Sequence, residues 1–99
     1  MTEEKRKTVN FKKESIERLP KDKPAVYKIL GKNGNNIYTG VAKRGRVRER
    51  IEEHLPGGTD PIRGGLKVQI QQKKTISDAE KSEKRIIARS KPKYNKAGK

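Results

Sequence analysis

Two tyrosines, a short run of arginines, a single histidine and one downstream glutamate have the types and spacing that chemistry requires: Tyr27 and Tyr38, Arg46, Arg48 and Arg50, His54, and Glu83. A free phenol ionises with a pKa of about 10, so forming a phenolate at neutral pH costs roughly 4 kcal/mol. Nearby guanidinium groups and a metal ion lower that cost and let a phenolate serve as a base. Glu83 follows Ala79 by four residues and precedes Ile86 and Ile87 by three and four, which on a helix turns it toward the core. A carboxylate there is costly unless paired or bound to a cation. It reads either as a salt bridge at the core margin or as a metal ligand at the floor of a site. The other residues carry paired readings too. The tyrosines are half-buried strand aromatics or catalytic phenols. The arginines are a solvated face or a phosphate clamp. His54 either meets a helix C-terminal dipole or joins the site, in phase with Arg46 and Arg50 at four-residue steps.

These side chains need elements to hold them. Ala25–Leu30 alternates as a strand, Asn33-Gly34 is the pair that a type I′ hairpin turn demands, and Asn36–Val41 returns. A two-residue turn there pairs Lys32 with Asn35, Ile29 with Tyr38 and Tyr27 with Gly40, so both phenols project from one face as diagonal neighbours, on the order of 7–8 Å apart at the backbone. Gly40 leaves space beside the Tyr27 ring; a loop of odd length would break this parity. Gly45–Leu55 reads as a helix with an apolar stripe of Val47, Ile51 and Leu55, ended by Pro56-Gly57-Gly58. The loop that follows, 56–65, lacks the Gly-Lys-Ser/Thr ending of a Walker phosphate loop. Leu66–Ile70 alternates as a third strand. Ser77 and Glu80 form a capping box that opens a last helix, which runs to about Ser90 and stops before Pro92. Ahead of the hairpin, Phe11–Leu19 is a short helix closed by Pro20. The order α-β-β-α-β-α predicts an α/β (α+β) fold, a small three-stranded sheet flanked by helices. It divides into a flexible basic N-terminus (1–9), a folded domain (10–95) and a basic tail (96–99).

Composition narrows the partners. The 99 residues hold 27 Lys+Arg against 12 Asp+Glu, a net charge of +15, with 28% hydrophobic residues. One domain with a small core follows, and the charge calls for a polyanion. With no cysteine, disulfide and thiolate chemistry are excluded. No apolar run approaches membrane-spanning length and no signal-peptide core stands at the N-terminus, so a cytoplasmic location without membrane association is expected.

The residues in this order resemble the GIY-YIG nuclease family. Its two signature triplets correspond to Ala25-Val26-Tyr27 and Tyr38-Thr39-Gly40, followed by the similar Val41-Ala42-Lys43. Glu83, Ile86-Ile87 and Pro92-Lys93-Tyr94-Asn95 resemble the family's glutamate helix and its Pro-x-Tyr-Asn ending. The resemblance runs from Pro24 to Asn95 and departs in the triplets, where Ala25, Val26 and Thr39 replace the usual residues. It implies an antiparallel three-stranded sheet and metal-dependent hydrolysis of DNA phosphodiesters, with no small-molecule cofactor. Tyr27 and Tyr38 would be the paired tyrosines, and Glu83 the ligand of Mg²⁺ or another divalent cation such as Mn²⁺. Arg50, in phase with His54, would be the catalytic arginine, with Arg48 the alternative by simple counting from Tyr38. A tyrosine, or His54 through a water, would take the proton from the attacking water. Lys43, Arg46, Arg48 and Asn95 would contact nucleic acid, Asn95 also supporting the site by hydrogen bonding.

Three functions compete: a nuclease, a non-catalytic nucleic-acid-binding module that keeps the fold, and a small basic protein on ribosomal RNA. The last is weakened by the capped helix, by inward Glu83, and by a poor supply of stacking aromatics, one Phe, three Tyr and no Trp. Specificity for one DNA would come from a protein partner or a homodimer, or be absent.

Overall fold

In the computed structural model, which describes residues 6–95, the hairpin forms where the Asn-Gly pair dictates. Asn33 and Gly34 adopt φ of 63° and 77°, the positive values a type I′ turn requires. They join β2 (Ala25–Leu30) to β3 (Asn36–Ala42). The loop is wider than expected: Gly31 donates to the Asn35 carbonyl at 2.7 Å, leaving Lys32–Gly34 as a three-residue turn. An odd loop should flip the parity, but a register shift between Ile29 and Leu30 restores it. Beyond that irregularity Ile29 pairs with Tyr38 and Tyr27 with Gly40.

The sheet has four strands rather than three, in the order β1-β4-β2-β3, all pairs antiparallel. The added strand is β1 (Arg6–Asn10), part of the stretch expected to be flexible; it pairs with β4 (Lys67–Gln72). An edge strand needs few apolar residues, and β1 half-buries only Val9, opposite Val68, so alternation did not betray it. The rest of that terminus, 1–5, and the tail 96–99 lie outside the described residues. The element order is therefore β-α-β-β-α-β-α, still an α+β fold.

The helices are shorter than their apolar stripes suggest. α1 spans Lys13–Ile16 and α2 Val47–Glu52. Ile16, Leu19, Val47 and Ile51 bury fully against Tyr27, Ile29, Val68 and Ile70, forming the core on one face of the sheet. α3 (Ile76–Ser90) packs along β3 and β2 and buries Ala79 and Ser82. Its cap is Thr75, whose hydroxyl accepts from the Asp78 N–H at 3.1 Å, not Ser77. Glu80 is thus released from the capping role expected of it. Lys91, left-handed at φ 46°, ends the helix one residue before Pro92. Leu66, expected inside the third strand, precedes it and is 58% exposed. No helix among the described residues is long and apolar enough to cross a membrane.

Candidate active site

The two phenols lie on the core face of the hairpin with ring centroids 6.1 Å apart. Tyr27, on central strand β2, is fully buried; Tyr38, on edge strand β3, is half-buried. The space beside Gly40 is filled by these rings. A Cβ there would sit 2.7 Å from Cζ and Oη of Tyr27 and 3.0 Å from Cε2 of Tyr38, so only glycine admits the pair.

His54 completes the cluster from just beyond α2. Its ring lies 4.7 Å from that of Tyr38 and 5.8 Å from that of Tyr27. The following loop is clasped to the helix end, Asp60 N–H donating to the Glu53 carbonyl and Ile62 N–H to the His54 carbonyl, both at 2.9 Å. That clasp brings the Asp60 carbonyl 2.9 Å from Nδ1 of His54. A carbonyl only accepts, so Nδ1 carries the proton, and in the neutral ring Nε2 must accept. Its partner is the Tyr27 hydroxyl, 2.9 Å away, which therefore donates. His54 is 2% exposed and both nitrogens are engaged.

Electrostatics tie the remaining groups to this cluster. Burial pushes the Tyr27 phenol well above its ordinary range, with Tyr38 adding to the rise and Arg50 opposing it. Burial also raises Tyr38, followed by Asp60, with Arg50 pulling down and Glu83 pushing up. Arg50 is thus the guanidinium whose charge both phenols feel, and Tyr38 feels two carboxylates, Asp60 more than Glu83. Burial outweighs Arg50 at both rings, which holds both phenols above their ordinary range.

Glu83 is half-buried on α3, and burial, then Glu80 one turn earlier, raises its pKa while Lys84 opposes. It makes no salt bridge among the described residues, so the core-margin ion pair does not form there. Glu80 lines a cleft of about 280 Å³ together with Lys43, Arg46 and Arg50. A half-buried carboxylate with a second one beside it suits a hard divalent cation, which would relieve both burial and repulsion. No group of three or more His, Cys, Asp or Glu converges among the described residues, so such an ion would keep most of its water.

The three arginines diverge. Arg46 pairs with Glu49, and Arg50 reaches Glu53 at 3.3 Å, both at the surface. Arg48, expected among the nucleic-acid contacts, donates from Nε to the Leu19 carbonyl at 2.7 Å and ties α2 to the segment after α1. Asn95 spends its amide on Thr39, Oδ1 accepting from the backbone N–H at 2.7 Å and Nδ2 donating to the carbonyl at 3.0 Å. It braces the outer edge of β3 between Tyr38 and Gly40 and, with Tyr38, Tyr94 and Asp60, borders a second cleft of about 400 Å³. Two contributors escaped the sequence reading. Asp60 acts through its backbone carbonyl, which leaves no signal in residue type. Glu80 stands three residues before Glu83, but its place three residues after Ser77 was credited to a cap.

No family profile matches the chain. Among curated proteins it is similar to UvrABC system protein C of Methylococcus capsulatus, 33% identical over 78 residues, covering 73% of this chain and 12% of that protein. The protein of the same name from Psychrobacter cryohalolentis is 35% identical over 89 residues, covering 84% of this chain and 14% of its own length. The chain therefore spans only a small part of these relatives. Among solved structures it superposes on the magnesium-bound GIY-YIG N-terminal endonuclease domain of UvrC from Thermotoga maritima, with a TM-score of 0.65 and 28% identity, covering 78% of this chain and 88% of that one. With the paired tyrosines, the arginine helix and the glutamate helix arranged around one hairpin, the chain belongs to the GIY-YIG nuclease family.

Proposed function

We propose that this chain is an endonuclease that hydrolyses DNA phosphodiester bonds with a divalent cation, Mg²⁺ or Mn²⁺, acting in the cytoplasm. The observation that carries the reading is the cluster of Tyr27, Tyr38 and His54, with Tyr38 feeling the charges of Arg50 and of Glu83, which forms no salt bridge among the described residues. The magnesium-bound neighbour supports the choice of ion.

Glu83 would hold the cation, with Glu80 beside it; when bound, the ion neutralises phosphate charge. Tyr38, the less buried phenol, orients the attacking water and accepts its proton as its own passes inward; as the water oxygen bonds to phosphorus the P–O ester bond breaks, and the leaving oxygen takes a proton from solvent. Tyr27 hands its proton to Nε2 of His54, and the Asp60 carbonyl, with its carboxylate 3.7 Å from Nδ1, stabilises the imidazolium that forms. Arg50 faces the charge that builds on the phosphate. Lys43 and Arg46, exposed at the mouth of the cleft, hold the strand by its backbone, which gives steep salt dependence and little sequence readout.

Nicking of supercoiled plasmid in Mg²⁺ tests the reading, comparing wild type with Glu83→Gln, Tyr38→Phe and Arg50→Ala. Wild type nicks and the variants do not. Binding without metal-dependent nicking by wild type would instead make the chain a non-catalytic nucleic-acid-binding module.

A further inference from the structure

Tyr94 takes no part in the reaction above, yet it shares a cleft with Tyr38. Pro92 is buried, and the turn Lys93–Asn95 that follows it is closed by the Asn95 N–H donating to the Pro92 carbonyl at 3.1 Å. The two bonds between Asn95 and Thr39 then fix that turn against β3, one residue from Tyr38. Asp60, Pro61 and Ile62 form the other wall, and their clasp to the end of α2 holds it in place. Both walls are therefore tied by hydrogen bonds, which limits the ordering cost of binding between them. The volume enclosed is about 400 Å³, inside the range of roughly 300–1,000 Å³ common to small-molecule sites.

The lining suits a nucleobase better than a phosphate. It joins two half-buried phenol rings, Tyr38 and Tyr94, to the carboxylate of Asp60, whose side chain is 68% exposed. Aromatic ring surface stacks on bases, and a carboxylate accepts from base amino groups such as cytosine N4. The same carboxylate repels a phosphate. By contrast, a cleft at the back of the sheet is lined in part by Arg6, Lys28, Arg85 and Arg89. Lys28 alternates with Tyr27 along β2, which sets it on the other face. Lys93 is exposed and holds its ammonium 5.4 Å from the centre of the Tyr94 ring, within reach of the phosphate of a nucleotide whose base enters the cleft. A base can enter only when it is out of the duplex stack.

We propose that the cleft between Asp60 and Tyr94 is a subsite for one unpaired nucleobase, next to the phosphate at which Tyr38 acts, and that it favours a base with an exocyclic amino group. The subsite rests on the nuclease reading, since Tyr38 is the phenol that both share. Cytosine presents an amino donor at N4 where thymine presents an acceptor at O4, so Asp60 selects cytosine of the two.

The test uses the full chain in EDTA and follows the fluorescence anisotropy of dye-labelled DNA hairpins. Their stems are fully paired or carry one unpaired cytosine or one unpaired thymine. Wild type should bind the cytosine bulge tighter than the thymine bulge by roughly tenfold, and the paired hairpin least. Tyr94→Leu should lose about 5- to 150-fold on the cytosine bulge, the range of one base–aromatic contact. Its affinity for the paired hairpin should not change, which also shows that the variant is folded. Tyr94→Phe keeps the ring and should retain wild-type affinity. Asp60→Asn should level cytosine and thymine, a ratio that a general change of charge leaves alone. Equal affinity of wild type for the three hairpins, or a Tyr94→Leu variant that keeps the preference for bulges, would overturn the subsite and leave the nuclease reading, which plasmid nicking reads separately. Wild type that binds none of the hairpins would overturn both.

Discussion

The two faces of the sheet treat charge in opposite ways. On the tyrosine face the polar groups are interlocked: Tyr27 donates to His54, His54 to Asp60, and Arg50 and Arg46 each have a glutamate beside them. On the other face Arg6, Lys28, Arg85 and Arg89 line one cleft, and none of the four forms a salt bridge among the described residues. α3 separates the two, carrying Glu80 and Glu83 on one flank and two arginines on the other. Chemistry at a phosphate needs donors, acceptors and charges of both signs held at fixed positions. Gripping a phosphate backbone needs only positive charge within reach. The difference in partners is therefore a difference in what each face can do.

The contrast can be broken most sharply on the tyrosine side. Glu83→Gln or Arg50→Ala should each lower the plasmid nicking rate by about 10²–10³-fold, the loss of roughly 3–4 kcal/mol of transition-state stabilisation. Arg50 is exposed, so its alanine variant should melt within about 0.5 kcal/mol of wild type. Nicking that survives both changes would erase the distinction between the faces.

Gly40→Ala tests whether the phenol pair depends on the absent side chain. The new methyl would overlap the Tyr27 ring, and overpacking of this kind costs about 1–3 kcal/mol. Chemical denaturation should show that loss together with slower nicking. A variant as stable as wild type would mean that the rings move aside freely.

Arg48→Met should cost about 1–3 kcal/mol in the same measurement, because it strips a charged donor from the carbonyl of buried Leu19. Arg50→Ala should not, and this pair of melts separates the arginine that holds the fold from the one whose charge the phenols feel.

The smallest effect concerns pH. The folded-state pKa of Glu83 is raised, so the folded chain binds a proton more tightly there than the unfolded chain does. Stability therefore falls as pH rises from the ordinary glutamate range through the raised value. Without divalent cations, wild type and Glu83→Gln should melt alike at low pH, and the variant should become the more stable of the two toward neutrality. A constant gap between them would show that the carboxylate is not desolvated.

Much of the tyrosine site was legible in the chain itself. The Asn33-Gly34 pair locates the hairpin, strand alternation puts Tyr27 and Tyr38 on one face, and helical phase singles out Glu83. These are local properties, set by φ preferences and by periods of two and 3.6 residues, so neighbours in sequence suffice to reveal them. Even so, the parity of the phenols held only because a register shift in the hairpin offset a loop one residue longer than expected.

Tertiary structure decided the rest. β1 exists because Arg6–Asn10 finds β4 across the chain, not because its own residues demand a strand. Asn95 is set against Thr39, 56 residues away, and Arg48 is turned from solvent by a carbonyl 29 residues earlier. The proton on His54 is assigned by a backbone oxygen, and backbone oxygens are alike at every residue. The cationic back cleft gathers residues 6, 28, 85 and 89, which share no pattern in sequence. Local preference fixes which way a side chain faces on its own element; only the packing of distant elements fixes what it meets there.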